Sequence, residues 1–144
     1  EPTRAVRSVV KPMNEQYLID SLKANVEIIA LVGASPKPHR DSFKVMQFLQ
    51  QSGKRVIPVN PRAAGTEILG EPVVADLADL PAAVDMVDVF LNSEAAAAVV
   101  DQVVQLEIPS VWLQIGVMPI SAAERAEAAG VQVVMNRCPA IEWR

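Results

Sequence analysis

Short runs of mostly apolar residues recur along this chain, and segments with helical spacing or turn residues separate each run from the next. Runs this short are too short for helices, and nearly continuous apolar character is typical of parallel strands that are covered on both faces. Strands that alternate with helices predict a doubly wound, mostly parallel α/β sheet. We predict five such strands, over residues 28–32, 55–60, 86–91, 110–115 and 131–135.

Several residues indicate where the intervening helices begin and end. Gly53 and Gly130 follow two of the helical segments, at the position where a glycine commonly closes a helix. Pro58 removes one hydrogen-bond donor from the second strand, so we expect a bend or bulge there. Side chains able to cap a helix precede or open the helical segments: Asn14, Asp41 or Ser42, Ser93, and Ser121 with Glu124.

The length and composition of the chain are those of one globular domain. Of its 144 residues, 51% are hydrophobic and 21% charged, so a full core is available and a disordered chain is excluded. Aromatic residues make up only 4%, too few for binding single-stranded nucleic acid by base stacking, and the net charge of −4 also argues against a nucleic-acid partner. We expect residues 1–13 to form a loose N-terminal arm and residues 14–144 to form the domain.

No window approaches the run of about 18 apolar residues that a membrane span needs, and residues 1–4 do not resemble a signal peptide, so we expect a cytoplasmic protein.

Scarce residue types exclude further classes of protein. With one cysteine, Cys138, and one histidine, His39, the chain lacks the ligands for a cysteine- or histidine-based metal centre and for an internal disulfide. A single histidine also gives no convincing Ser-His-Asp set, so no catalytic residue is predicted.

Positive charge is concentrated in the first part of the chain. Residues 1–62 carry a net charge of +5 and residues 63–144 a net charge of −9. The loop after the first strand leads into a helix N-terminus, which favours anions, although a solvated loop and an uneven surface would give the same pattern. Only Gly33 is present from the G-x-G-x-x-G phosphate loop, and the donors and cations that accompany it are Ser35, Lys37, Arg40 and Ser42.

The end of the second strand bears on the kind of nucleotide. An NAD site has an acidic residue there for the ribose hydroxyl, whereas this chain reads Val-Asn-Pro-Arg at 59–62. An arginine such as Arg62 suits an additional phosphate on the ribose, as in NADP or coenzyme A (CoA). The alternative is that Arg62 is an exposed loop charge.

Five segments together make the chain similar to a known family. They are Val-Gly-Ala-Ser at 32–35, Pro-Val-Asn-Pro-Arg at 58–62, Val-Asp-Val-Phe at 87–90, Trp-Leu-Gln-Ile-Gly-Val at 112–117 and Asn-Arg-Cys-Pro at 136–139. Each is weak alone, but their order and spacing are specific, and the similarity covers residues 14–144. The chain resembles the small stand-alone CoA-binding proteins of bacteria and archaea, and the N-terminal nucleotide domain of the succinyl-CoA synthetase α subunit. The resemblance implies a Rossmann-like domain with CoA as its ligand.

The resemblance also implies which residues contact CoA. The diphosphate would lie at the loop after the first strand, the 3′-phosphoadenosine at the end of the second strand, and the pantetheine arm beside the later strands. The candidate residues are Gly33, Ala34, Ser35, Lys37, Arg40 and Ser42 for the diphosphate, Asn60, Pro61 and Arg62 for the 3′-phosphoadenosine, and Leu91, Asn92, Ser93, Ile115, Gly116 and Cys138 for the arm. The family often has Arg where Leu91 or Asn92 stands and Asp where Asn136 stands, so this chain departs from the pattern on the arm side.

We therefore expect non-catalytic binding of CoA or a short acyl-CoA, because the synthetase relies on a histidine in a domain that has no counterpart in these residues. One alternative is an NADP(H)-binding oxidoreductase or redox sensor. Another is a nucleotide-binding subunit of a larger acyl-CoA ligase, so the expected partners include a ligase-like protein or a second copy of the chain.

Cys138 leaves two interpretations open. It follows the last strand, so its thiol could form a mixed disulfide with CoA, and Arg137 could lower the thiol pKa if the two side chains approach. The simpler interpretation is a small, buried and inert thiol.

Overall fold

The computed structural model describes residues 11–144, with side chains from residue 15 onward, and contains seven strands in that range. In chain order they are β1 (Ile28–Val32), β2 (Arg55–Val59), β3 (Glu67–Ile68), β4 (Glu71–Pro72), β5 (Met86–Val89), β6 (Ser110–Leu113) and β7 (Gln132–Met135). Five form a parallel sheet in the order β2-β1-β5-β6-β7, and β3 pairs with β4 in a small antiparallel ribbon. The sheet extends from β1 in both directions, which confirms the predicted doubly wound, Rossmann-like α/β fold.

Helices cover both faces of this sheet. They are α1 (Lys11–Asn25), α2 (Asp41–Gln51), α3 (Ser93–Gln105), α4 (Ile120–Ala128) and α5 (Pro139–Glu142), with a 3₁₀ turn at Leu77–Asp79. The core under α3 and α4 contains Val87 and Val111, and the core under α1, α2 and α5 contains Leu31 and Trp112. None of the described helices is long and apolar enough to cross a membrane.

Two helix starts differ from those expected from the sequence. The cap of α3 is Asn92, not Ser93, because the Asn92 side chain accepts a hydrogen bond from the Ala95 backbone amide at 2.8 Å. Helix α1 begins at Lys11, three residues before the expected cap at Asn14. The remainder of the expected N-terminal arm lies outside the described residues.

The expected side-chain caps of α2 and α4 are also wrong. Arg40 occupies the capping position of α2 and Pro119 that of α4, and neither helix has a side-chain hydrogen bond at its cap. Asp41 and Ser42 instead form the first turn of α2, and Ser121 lies inside α4. The first backbone amides of α2 are thus not covered by a cap, which matters for the groove described below.

The C-terminal ends of α2 and α4 follow the prediction. Gly53 and Gly130 each lie one residue after the C-terminal cap, at φ +89° and +93°. Only glycine adopts this left-handed conformation without strain, so it ends both helices.

Pro58 causes no bulge. Strand β2 pairs with β1 in unbroken register, and Pro58 lies opposite Leu31. β2 is an edge strand, and the Pro58 carbonyl accepts a hydrogen bond from Val74 on the side away from β1. A strand residue directs its N and its carbonyl to the same side, so the missing N–H of Pro58 leaves the pairing with β1 intact.

Candidate functional site

A sharp turn at the end of β1 begins the candidate site. Gly33 has φ +87°, and its amide donates a hydrogen bond to the Val59 carbonyl at 3.0 Å. A Cβ atom at this position would lie 2.2 Å from the Phe90 carbonyl oxygen. Only glycine can therefore bring the chain this close to the end of β5.

The loop after Gly33 lines a cavity of about 570 Å³, which we call the central cavity. It lies at the N-terminus of α2, where the uncapped backbone amides favour an anion, although the Asp41 carboxylate also lines it. All six residues that the sequence assigned to the diphosphate line this cavity: Gly33, Ala34, Ser35, Lys37, Arg40 and Ser42.

Three exposed cations surround the central cavity. Lys37, Arg40 and Arg62 line it, and no carboxylate within the described part of the chain forms an ion pair with any of them. Ser35 adds a hydroxyl, which accepts a hydrogen bond from the Lys37 backbone amide at 3.2 Å and so shapes the loop. The charge of this cavity complements a phosphate group.

Asn60 joins the two loops that form the central cavity. Its side-chain amide donates to the Ala34 carbonyl at 2.8 Å, and its side-chain oxygen accepts from the Arg62 backbone amide at 2.9 Å. Both ends of the amide are therefore engaged within the protein. Asn60, a predicted ligand contact, fixes the loop geometry and places Arg62 at the rim.

A second cavity of about 420 Å³, the β2 cavity, lies beyond the end of β2. All three residues predicted for the 3′-phosphoadenosine line it: Asn60, Pro61 and Arg62. Asp76 and Gln102, which the sequence did not single out, also line it. The Asp76 carboxylate accepts hydrogen bonds from the Ala78 amide at 2.9 Å and the Gln102 side chain at 2.7 Å, and these contacts lower its pKa. An acidic group thus reaches this cavity from a later segment, not from the end of β2.

A third cavity of about 470 Å³, the β6 cavity, lies beyond β5 and β6. Its lining is mainly apolar, with Phe90, Val117 and Ile141 beside a few polar groups. Four of the residues predicted to contact the pantetheine arm line it: Leu91, Asn92, Ile115 and Cys138. Lys44 and Gln114 also line it. Of these two, only Gln114 stands out in the sequence, as a polar residue in a predicted apolar strand.

The three cavities share lining residues and form one groove along the carboxyl edge of the sheet. This is the edge at which ligands bind in open parallel sheets. The shared residues are Gly33, Asn60 and Arg62 between the central and β2 cavities, Asp41 and Phe90 between the central and β6 cavities, and Leu91 between the β2 and β6 cavities.

Two residues predicted to contact the pantetheine arm, Ser93 and Gly116, do not line these cavities. The Ser93 hydroxyl accepts a hydrogen bond from the Met118 amide at 2.9 Å and donates to the Gly116 carbonyl at 3.4 Å. The Gly116 amide in turn donates to the Asn136 side-chain oxygen at 2.8 Å. These contacts hold together the loops after β5, β6 and β7, so both residues support the wall of the groove.

The side chain of Arg137 does not activate Cys138. The guanidinium pairs with Glu15 at 2.7 Å and with Glu142 at 3.6 Å. Burial raises the pKa of the half-buried Cys138 thiol, and Asp88 and Asp41 act in the same direction. A raised pKa reduces the thiolate fraction at neutral pH, which favours the interpretation of an inert thiol.

Asp88 is the buried acid of the sheet. It is fully buried in β5, and its side chain accepts a hydrogen bond from the Gln114 amide at 2.6 Å. Burial raises the pKa of Asp88 to about 7, whereas the hydrogen bond from Gln114 acts against this increase.

Comparisons with known proteins identify the family of this chain. The CoA binding domain family matches residues 27–144. The uncharacterized protein YneT of Bacillus subtilis (strain 168) is 34% identical over 110 residues, which are 76% of this chain and 80% of that protein. A structure from Thermus thermophilus, cell-free ID.343, aligns with a TM-score of 0.84 at 35% identity, over 89% of this chain and 96% of that chain.

A larger protein shares the fold. The dinucleotide-forming acetyl-coenzyme A synthetase 1 of Ca. Korarchaeum cryptofilum aligns with a TM-score of 0.65 at 23% identity. The alignment covers 76% of this chain but only 26% of the synthetase chain. The family match extends over most of the sequence, from the start of β1 to the C-terminus, and this chain belongs to the CoA binding domain family.

Proposed function

We propose that the groove binds CoA or a short acyl-CoA non-covalently. The observation that carries this proposal is the chemistry of its three adjoining cavities along one edge of the sheet. A central cavity lined by cations shares residues with each of two cavities that have substantial apolar lining. CoA combines the same chemistry, with a diphosphate that joins a nucleotide to a long, largely aliphatic arm.

Each part of CoA has a chemically suitable region of the groove. The uncapped N-terminus of α2, with Lys37 and Arg40, suits the diphosphate. The β2 cavity suits the adenosine, with Arg62 between it and the central cavity in a position to contact the 3′-phosphate. The β6 cavity suits the pantetheine arm.

We further propose that the chain performs no reaction on CoA by itself. Cys138 is a candidate nucleophile in the β6 cavity, and the raised pKa of its thiol supports a passive role. A contribution to a larger acyl-CoA ligase remains compatible with this proposal, because such a protein would supply the reacting groups from other domains.

CoA should raise the melting temperature of the protein. A ligand that binds only the folded state at a hundredfold excess over its Kd adds about 2.7 kcal/mol, or roughly 8 °C for a chain of this size. Differential scanning fluorimetry with CoA, NADPH and NAD tests this, and we expect a large shift only with CoA. A large shift with NADPH and none with CoA would instead support an NADP(H)-binding protein.

Arg62→Ala should weaken CoA roughly ten- to a hundredfold, the effect of losing one charge-assisted hydrogen bond. Binding of 3′-dephospho-CoA should hardly change, because that ligand lacks the phosphate. Calorimetric titration of both ligands measures the difference. Arg55→Ala is the matched control, because Arg55 lies at the opposite end of β2, and it should alter neither affinity. Equal losses for both ligands would show that Arg62 does not contact the 3′-phosphate.

A further inference from the structure

A buried acid and a cavity-lining amide form a pair beneath the β6 cavity. Asp88 lies in β5 between Leu31 of β1 and Trp112 of β6, and it is completely buried. Its Oδ1 accepts a hydrogen bond from Gln114 Nε2 at 2.6 Å. Its Oδ2 has no hydrogen-bond partner among the described residues. Asp88 therefore makes its side-chain contact with one neighbouring side chain, and that neighbour lines the cavity.

This contact fixes the orientation of the Gln114 amide. The carboxylate oxygen can only accept, so the NH₂ end of Gln114 faces Asp88, and the carbonyl oxygen faces away from it. Oδ2 has no partner in the described part of the chain, so a proton on Oδ2 leaves Oδ1 as the same acceptor. The Gln114 side chain is almost entirely buried, so it has little freedom to turn. Its free carbonyl oxygen is thus a preoriented acceptor at the wall of the β6 cavity.

The surroundings of this acceptor define the ligand chemistry that fits it. The cavity wall near Gln114 is mostly apolar, with Phe90, Leu91, Ile115 and Val117. An acceptor in an apolar wall favours a ligand with an N–H donor inside an aliphatic chain, because a ligand without the donor would leave the acceptor without a partner. A secondary amide flanked by methylene groups has this chemistry.

We propose that Gln114, positioned by Asp88, forms a subsite for a secondary amide of the ligand, namely an amide N–H of the pantetheine arm. This inference rests on the proposed binding of CoA in the groove. Gln114 is the contacting residue and Asp88 is a positioning residue. The subsite would distinguish CoA from nucleotides that fill only the central and β2 cavities.

The first test compares two ligands in calorimetric titrations. The variant Gln114→Met keeps the length of the side chain but removes the amide. It should weaken CoA roughly three- to tenfold, the effect of one neutral hydrogen bond, and leave binding of 3′-phosphoadenosine 5′-diphosphate unchanged, since this nucleotide lacks the arm. Gln105→Met, at the exposed end of α3, is the matched control and should change neither affinity.

The second test addresses the positioning role of Asp88. Asp88→Ala should weaken CoA about as much as Gln114→Met, whereas Asp88→Asn, which keeps an oxygen acceptor, should retain most of the affinity. In the Gln114→Met background, Asp88→Ala should have no further effect on CoA. A purely structural role of Asp88 would instead give additive losses that extend to the nucleotide. The first test does not depend on whether the Asp88 variants fold.

The outcomes separate this proposal from the one on which it rests. If the wild-type protein binds 3′-phosphoadenosine 5′-diphosphate but not CoA, or neither, the proposed function is wrong and the subsite falls with it. If the wild-type protein binds CoA and Gln114→Met binds it equally well, or if both ligands weaken together, only the amide subsite is overturned.

Discussion

The Gly33→Ala variant is expected to unfold at least 10 °C below the wild-type protein. At φ +87° an alanine is strained by about 1–2 kcal/mol, and its Cβ would lie 2.2 Å from the Phe90 carbonyl oxygen. Gly33 directly follows β1 and Phe90 directly follows β5, so the ends of these two paired strands would have to separate. The total loss should exceed about 3 kcal/mol, which corresponds to roughly 10 °C for a chain of this size.

Gly53→Ala isolates the contribution of the close contact. Gly53 has nearly the same backbone conformation, at φ +89°, but no atom lies within 4 Å of its ideal Cβ position. This variant should lose only about 1–2 kcal/mol, the cost of the backbone strain. Thermal unfolding of both variants, followed by circular dichroism, gives the comparison. Equal losses would show that the approach of Gly33 to Phe90 does not limit stability.

The sheet was predictable because burial on both faces leaves a clear mark on the sequence. A parallel strand covered by helices favours apolar residues at nearly every position. Residues 28–32 show this pattern throughout, and residues 86–89 show it at every position except Asp88. A strand can end earlier than its apolar run, as at Val89, because the next residues, Phe90 and Leu91, turn toward the groove. Because apolar residues continue through this turn, they do not indicate where the pairing between strands ends.

The helix starts were less predictable because several residues near each start can accept a hydrogen bond. Asn92 and Ser93 are adjacent and both suit a cap. The choice is made by the neighbouring loop, because the Ser93 hydroxyl is already engaged by the Met118 amide. A tertiary contact of this kind leaves no periodic signal in the sequence.

The candidate site also has a part that could be predicted from the sequence and a part that could not. The loop residues of the central cavity were predictable because they are consecutive and follow a strand. Asp76 and Gln102 reach the β2 cavity from distant segments, and their mutual hydrogen bond is visible only in three dimensions. The same holds for the orientation of Gln114, which depends on a contact with Asp88 across two neighbouring strands.

Asp88 should make the stability of the protein fall as the pH rises from about 4 to about 7. Its pKa is raised from 3.8 to about 7 in the folded chain, so within this interval the folded state binds more protons than the unfolded state. The free energy of unfolding therefore decreases with pH, by roughly 4 kcal/mol across the interval. Asp88→Asn removes the titrating group, so relative to the wild type its stability should increase with pH and level off above about pH 8.

Urea unfolding of both proteins between pH 4 and 9 measures this trend. Asp76→Asn is the control, because the pKa of Asp76 is shifted in the opposite direction from that of Asp88. Hydrogen bonds from Ala78 and Gln102 lower the pKa of Asp76, so its stabilising contribution is complete well above 3.8 and is lost only as the pH falls below that value. Asp76→Asn should thus lose a constant amount of stability between pH 5 and 8. A wild-type protein and an Asp88→Asn variant with parallel pH profiles would show that the buried Asp88 carboxyl does not change its protonation between the folded and unfolded states in this range.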